Sequence, residues 1–395
     1  MLYIALLAVV LVLSTSFATA QNPEQMIIDG DTISYTYHAD HTPTTKKGFG
    51  QRLDDYLSLD VNDAKRVNFS VTGGPGYSPN RGWQLAVRGD MQYRTRATQT
   101  TSTPDRLSIV AAASLTGYYG IKIDGVNHLG KSHNLQYGAE LRSEPRDIYG
   151  VSFASSSLGT LGSYTEEMYR GWVRYSHLVN NLFLFGAYVD YHYESAHKLD
   201  TYGASLLNSQ TLQYQGLGLG LSLGLRSARK EAINRIRGVN ITIEGLVRPE
   251  LLSSYSATLW QVSLLLDYYQ PLWRGGLMVI DIYGEQHSQN TPWILRGQLG
   301  DDARMRGYYP GRYNGNTLIT SQLELRQHII DGLVIAAWAG CGTAFSKGEE
   351  FNTSMILPNY GVGLRYHLGT HSAIRIDVGF GRDGYDFILG YNEAF

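Results

Sequence analysis

Cysteine is all but absent. Cys341 stands alone in 395 residues, which excludes an intrachain disulfide framework and a cysteine-ligated metal cluster. Charge is scarce as well. Asp, Glu, Lys and Arg together make up 17%, and the formal net charge is −2. A near-neutral chain lacks the basic field that binding to nucleic acid requires, so no such partner is expected. Beyond the N-terminus, no apolar run approaches the roughly eighteen residues of a spanning helix. Tyrosine (29) and glycine (44) are abundant. A soluble all-β protein and a transmembrane barrel share this profile, because only every second residue of a barrel strand faces lipid.

Residues 2–13 are almost wholly apolar, and Ala18-Thr19-Ala20 fits a small-residue cleavage site before Gln21. This reads as a secretory signal peptide over 1–20, although no Lys or Arg precedes the apolar stretch. The run is short for a membrane-spanning helix. Residues 21–65 are polar without sustained alternation and are expected as a short periplasmic segment. Within it, Phe49, Leu53, Tyr56 and Leu57 share one face of a possible short helix.

From residue 66 to 395 the hydrophobic period is two. Val67, Phe69 and Val71 alternate with Asn68, Ser70 and Thr72; Leu217 to Leu225 alternate with Gly216, Gly218, Gly220, Ser222 and Gly224; Ile374, Ile376, Val378 and Phe380 alternate with Arg375, Asp377, Gly379 and Gly381. The intervening set mixes Gly, Ser, Arg, Glu and Asp, which suits a crowded wet lumen, while the aliphatic set suits lipid. A mid-depth Lys or Arg on the lipid face would cost about 2–4 kcal/mol, and these strands keep such charges on the other face. Tyr268-Tyr269 and Tyr191 to Tyr193 are placed at strand ends, as interfacial girdles.

The fold class is all-β, a transmembrane antiparallel β-barrel over 66–395. Sixteen candidate strands centre on Phe69, Val87, Ile109, Ile121, Tyr137, Val173, Phe185, Leu219, Ile241, Leu264, Val279, Leu323, Ile335, Leu364, Ile376 and Phe387; fourteen is the alternative count. Starting from the periplasm, odd strands run outward. Residues 145–162, the long segment 287–316 and residues 346–355 then fall outside, and short turns such as Asn180-Asn181 fall inside, the asymmetry of outer-membrane barrels. The basic connection 227–238 is an exception. The 287–316 loop joins strands eleven and twelve and far exceeds ordinary hairpin turns.

Three features of the C-terminal third resemble the BamA/TamA superfamily of outer-membrane barrels, the bacterial surface-antigen domains. They are the loop motif Met305-Arg306-Gly307-Tyr308, the passage Ile374 to Gly381 (IRIDVGFG), and the terminal stretch DFILGYNEAF ending in Phe395. Gly73-Gly74-Pro75-Gly76 also resembles the first hairpin of short members. The resemblance implies that the loop folds back toward the lumen. It also implies a bacterial outer-membrane location, with lipid and lipopolysaccharide around the barrel, and a role in, or accessory to, protein assembly, insertion or translocation. Nascent outer-membrane proteins or an assembly machinery would be the partners. The implied mechanism is a weak seam between the first strand (Val67, Phe69, Val71) and the last (Phe387, Leu389, Tyr391, Phe395), with Gly73, Gly74 and Pro75 shortening the first strand's pairing.

Two departures from the family pattern stand out. The N-terminal segment leaves no room for a POTRA domain. Strand thirteen, where many members carry an acid facing the loop arginine, reads Ala336-Ala337-Trp338-Ala339-Gly340. Glu324 and Asp377 lie on lumen-facing registers and are the candidate partners of Arg306, whose planar fork suits a carboxylate. The other reading of Arg306 is a solvated loop arginine.

No hydrolytic constellation is legible. His177, His192, His367 and His371 are scattered, and no pair has metal-ligand spacing. No enzyme activity, metal or cofactor is expected. A passive outer-membrane pore or structural surface barrel is the alternative function, and a soluble secreted β-protein the third.

Overall fold

The computed structural model describes residues 67–95, 104–159, 161–232, 235–330, 332–346, 349, 351–368, 372–391 and 394. The signal peptide, the segment 21–65 and Phe395 lie outside the described residues. The chain divides into two compact units, and the second, Asn62–Phe395, is the barrel.

Among the described residues, sixteen long strands form one antiparallel sheet, and each pairs with its neighbour in sequence. They are β1 (Val67–Ser78), β2 (Gly82–Tyr93), β3 (Asp105–Ser114), β4 (Tyr119–His128), β5 (His133–Ile148), β6 (Gly162–Val179), β7 (Phe183–His197) and β8 (Gln213–Arg226). The second half comprises β9 (Arg235–Arg248), β10 (Leu259–Trp273), β11 (Gly276–His287), β12 (Thr317–Ile330), β13 (Leu333–Phe345), β14 (Leu357–Leu368), β15 (Ser372–Gly381) and β16 (Gly384–Tyr391). β16 meets β1, so the sheet closes. Every one of the sixteen expected strand centres falls within one of these strands.

The alternation predicted from sequence is the inside–outside alternation of the wall. Along β8, Leu217, Leu219, Leu221 and Leu223 are exposed, whereas Gly216, Gly218, Gly220 and Ser222 are buried. An exposed aliphatic belt on one face of a closed sheet is a lipid-facing surface. The glycines make room inside. A Cβ at Gly218 would meet Leu246, and those at Gly220, Gly138 and Gly361 would collide with the rings of Tyr188, Trp172 and Trp338. Large side chains from neighbouring strands therefore lie flat across glycine positions.

One end of the barrel carries short turns, such as 180–182 and 274–275; the other carries the long connections 149–161, 198–212 and 288–316. Two short helices sit in these connections, α1 (Phe153–Ser157) and α2 (Thr201–Leu206). Asp200 caps α2, and the N–H groups of Gly203 and Ser163 hold its carboxyl below the usual range. Two apolar clusters fill this end. One gathers Phe153, Leu299, Met305, Tyr308 and Tyr313 around Leu318 and Leu357. The other gathers Ile148, Tyr164, Tyr214, Trp293 and Ile294.

Three expectations are corrected. The 145–162 connection is shorter than its sequence suggests, because β5 runs through Pro145 to Ile148 and stays in register with β6. β1 is not shortened by Gly73, Gly74 and Pro75, which all pair with β2. Tyr269 is no girdle residue; it is buried with Leu277 and Val279, because on β10 it lies in register with inward-facing Val279.

Candidate functional site: the lumenal loop and the closing seam

The 288–316 loop enters the barrel. It makes a tight turn at Trp293–Leu295 and a two-stranded ribbon from Gly297–Leu299 and Tyr313–Gly315. Between the ribbon strands, Asp301 turns the chain by accepting from the Ala303 N–H at 2.6 Å. Arg304 then grips Asp281 of β11 with two hydrogen bonds, at 2.7 and 2.8 Å.

Arg306 is fully buried. It donates through Nη2 to Glu324 Oε2 at 2.5 Å and through Nη1 to Asp377 Oδ2 at 2.7 Å. The loop is thereby tied to β12 and to β15 at once. The Trp338 ring of β13 lies under the guanidinium, 3.5 Å from centroid to Cζ. Removing one partner of a buried pair leaves a bare charge, at a cost of about 3–5 kcal/mol. Glu324 also accepts from Arg326 Nε at 2.7 Å, and Arg365 hydrogen-bonds Asp377. Each carboxylate is thus shared between two guanidinium groups.

Gly307 adopts φ 112°, a left-handed conformation that glycine takes without strain. A Cβ there would stand 2.6 Å from the Phe380 carbonyl carbon. The fit is reciprocal: a Cβ at Gly379 would stand 2.5 Å from the Arg306 carbonyl oxygen, and one at Gly381 2.6 Å from the Tyr308 ring. The loop backbone therefore lies directly on the glycines of β15. Met305 is buried before it, also at positive φ (52°). Tyr308 donates its hydroxyl proton to the Pro358 carbonyl at 2.6 Å and accepts from the Arg382 N–H at 2.9 Å. The Tyr309 hydroxyl accepts from the Asp147 N–H at 3.0 Å, and Tyr313 donates to Asp383 at 2.8 Å.

The seam is a different kind of contact. Among the described residues, β1 and β16 share one registered pair, Tyr77 with Leu389. The ladder from β15 to β16 runs from Ile374 and Tyr391 to Gly381 and Gly384, and β1 pairs with β2 along its whole length. Phe387 packs on Tyr77, ring centroids 5.7 Å apart. Val67, Phe69 and Val71 lie at the far end of β1, exposed on the lipid face and paired with Tyr93, Met91 and Gly89 of β2. Tyr391 pairs with Ile374.

No protein-family model matches this sequence, and no curated protein does. Solved structures do match. BamA from Haemophilus ducreyi, lacking POTRA domains 1–3, aligns with TM-score 0.56 at 12% identity, over 83% of this chain and 71% of that one. CdiB from Acinetobacter baumannii aligns with TM-score 0.55 at 12% identity, over 83% of this chain and 60% of that one. CdiB from Escherichia coli gives 0.54 at 14%, over 82% and 63%. The fold is that of BamA and CdiB. This chain spans less than two thirds of either CdiB, so the likeness is one of barrel architecture. The strands carry the exposed apolar belt of an outer-membrane barrel. No described helix is long and apolar enough to cross a membrane.

Sequence reasoning named Glu324 and Asp377 as alternatives, and the structure brings both to Arg306. It missed Trp338, whose ring occupies the space next to Arg306 on β13. The available signal was its register, two residues from Ala336 on the inward-facing set. Arg304 and its partner Asp281 were missed as well.

Proposed function

We propose that this barrel acts in, or as an accessory to, the assembly, insertion or translocation of outer-membrane polypeptides, through the edge between β1 and β16. The observation that carries this reading is the closing ladder, with Tyr77 and Leu389 as its one registered pair among the described residues. Among the described residues, fewer registered pairs have to part there than between any other neighbouring strands. A strand edge released in this way offers backbone donors and acceptors to an incoming strand, the mode of β-augmentation. The loop supports the reading, because Arg306 ties β12 to β15 and Gly307 lies on the β15 backbone, which braces the wall on the β15 side of the seam. Nascent outer-membrane proteins, or a machinery that handles them, are the proposed partners, in a bilayer carrying lipopolysaccharide.

The second reading is a passive pore or structural surface barrel. Charged pairs such as Arg88–Asp90 and Arg174–Glu244, on the non-belt face of the wall, favour it.

Disulfide trapping separates the two. With Cys341→Ala as background, Tyr77→Cys and Leu389→Cys place thiols on the registered pair. If locking stalls barrel biogenesis or secretion in the native membrane, the seam is a working gate. If the pair locks fully with no effect on either, the assembly reading fails and conductance measurements on the locked barrel test the pore.

A further inference from the structure

Arg375 of β15 is a buried cation with two guanidinium nitrogens unpartnered among the described residues. Its side chain is 4% exposed. Its Nε and Nη1 atoms are buried without a hydrogen-bond partner among the described residues. Among the described residues, the two carboxylates within reach are distant: Asp377 Oδ2 at 3.7 Å from Nε, and Asp302 Oδ2 at 3.8 Å from Nη2, the latter on a loop residue whose side chain is 71% exposed. Asp377 is already engaged by Arg306 and Arg365. Glu324 is engaged by Arg306 and Arg326. The residue directly opposite Arg375 on β14 is Arg365, so two guanidinium side chains face the lumen as a cross-strand pair. On its other side the opposite residue is Gly390 of β16, which contributes no side chain. The acids Asp267 and Asp281 belong to β10 and β11, where Arg304 takes Asp281.

Like charges placed opposite one another in a sheet repel. Buried N–H donors without acceptors carry their full desolvation cost. Asp377, bonded to Arg365 and 3.7 Å from Arg375 Nε, screens part of the repulsion, and an anion on the Nε and Nη1 side of Arg375 would supply the acceptors those atoms lack. We propose that Arg375, with Arg365 opposite and a glycine, Gly390, as its neighbour on β16, holds a small inorganic anion of the chloride or phosphate class in the lumen beside the loop.

The test uses the whole chain in detergent micelles at fixed ionic strength, with sodium chloride and sodium phosphate each compared with sodium gluconate, whose anion is bulky. A ligand held by the folded state raises Tm saturably, by roughly 2–4 °C at about a hundredfold over Kd for a chain of this size. The chloride and phosphate arms identify which anion binds. Crystals grown in bromide are expected to show an anomalous peak beside the Arg375 guanidinium. Arg375→Gln is expected to abolish the Tm response. An unchanged response in that variant overturns the proposal, as does a flat wild-type response. A response that appears only in Asp302→Asn also overturns it, because the loop carboxylate is then the natural counter-ion. Should Arg375→Gln fail to fold, the absence of a bromide peak in wild-type crystals is decisive against the site.

Discussion

The face of Trp338 lies 3.5 Å from the Arg306 guanidinium, and both side chains are buried in the barrel. The indole supplies a cation–π surface on β13 while Glu324 and Asp377 supply charge from β12 and β15. Arg306 is thus held edge-on by two carboxylates and face-on by an aromatic ring, which fixes both the position and the plane of the guanidinium.

Arg306→Ala is expected to destabilise the barrel by about 3 kcal/mol, since it takes one of the two guanidinium partners from each of two buried carboxylates. Arg306→Lys should recover part of this, as a point charge without the fork. Urea unfolding of the detergent-solubilised protein measures both. A wild-type midpoint for Arg306→Ala would show that the network contributes nothing to the fold.

Gly307→Ala forces a Cβ against the Phe380 backbone at φ 112°. A loss of about 1–3 kcal/mol is expected, together with faster protease cleavage of the displaced loop. Gly245→Ala is the control, because nothing stands within 4 Å of its Cβ position. It should stay within about 0.5 kcal/mol of wild type. Equal effects at the two sites would refute the close approach of loop and strand.

Leu221 is 68% exposed in the middle of the β8 belt. Leu221→Arg should cost about 2–4 kcal/mol of folding free energy in a bilayer. Refolding into vesicles reads this out. If the substitution is tolerated in vesicles, that face is not against lipid.

Amides along the facing edges of β1 and β16 should exchange with deuterium faster than those of β5 and β6, which pair over sixteen positions from His133–His177 to Ile148–Gly162. Uniform protection around the barrel would remove the structural basis for a weak seam.

Much of this architecture is written in the alternation. Leu217 to Leu225 and Ile374 to Gly381 state which residues face lipid, and the spacing of such runs narrows the strand count to sixteen or fourteen. Alternation is a local property, so it is silent on what crosses the lumen. Glu324 and Asp377 are identifiable as inward-facing, but their convergence on one arginine depends on the curvature of the closed sheet. Trp338 looks like any aromatic in an alanine-rich strand until β13 is placed under the loop. Tyr269 was misread for a related reason: a tyrosine near a strand end serves equally as a girdle residue or, in the inward register, as part of an interior cluster. The passage of β5 through Pro145 was hidden because proline ordinarily marks the end of pairing.

The loop is clamped from both directions along the chain. Asp147 and Gly150 hold it through Tyr309 and Asn314, from more than 160 positions earlier. Asp377 and Arg382 hold it from about 70 positions later. Neither set of contacts exists in a half-made sheet. Loop closure over such separations costs entropy before it returns any contact energy, and it slows the step that requires it. Seating of Arg306 therefore belongs at the end of the folding sequence, and the burial of Trp338 beneath it gives that last event an optical reporter native to the chain.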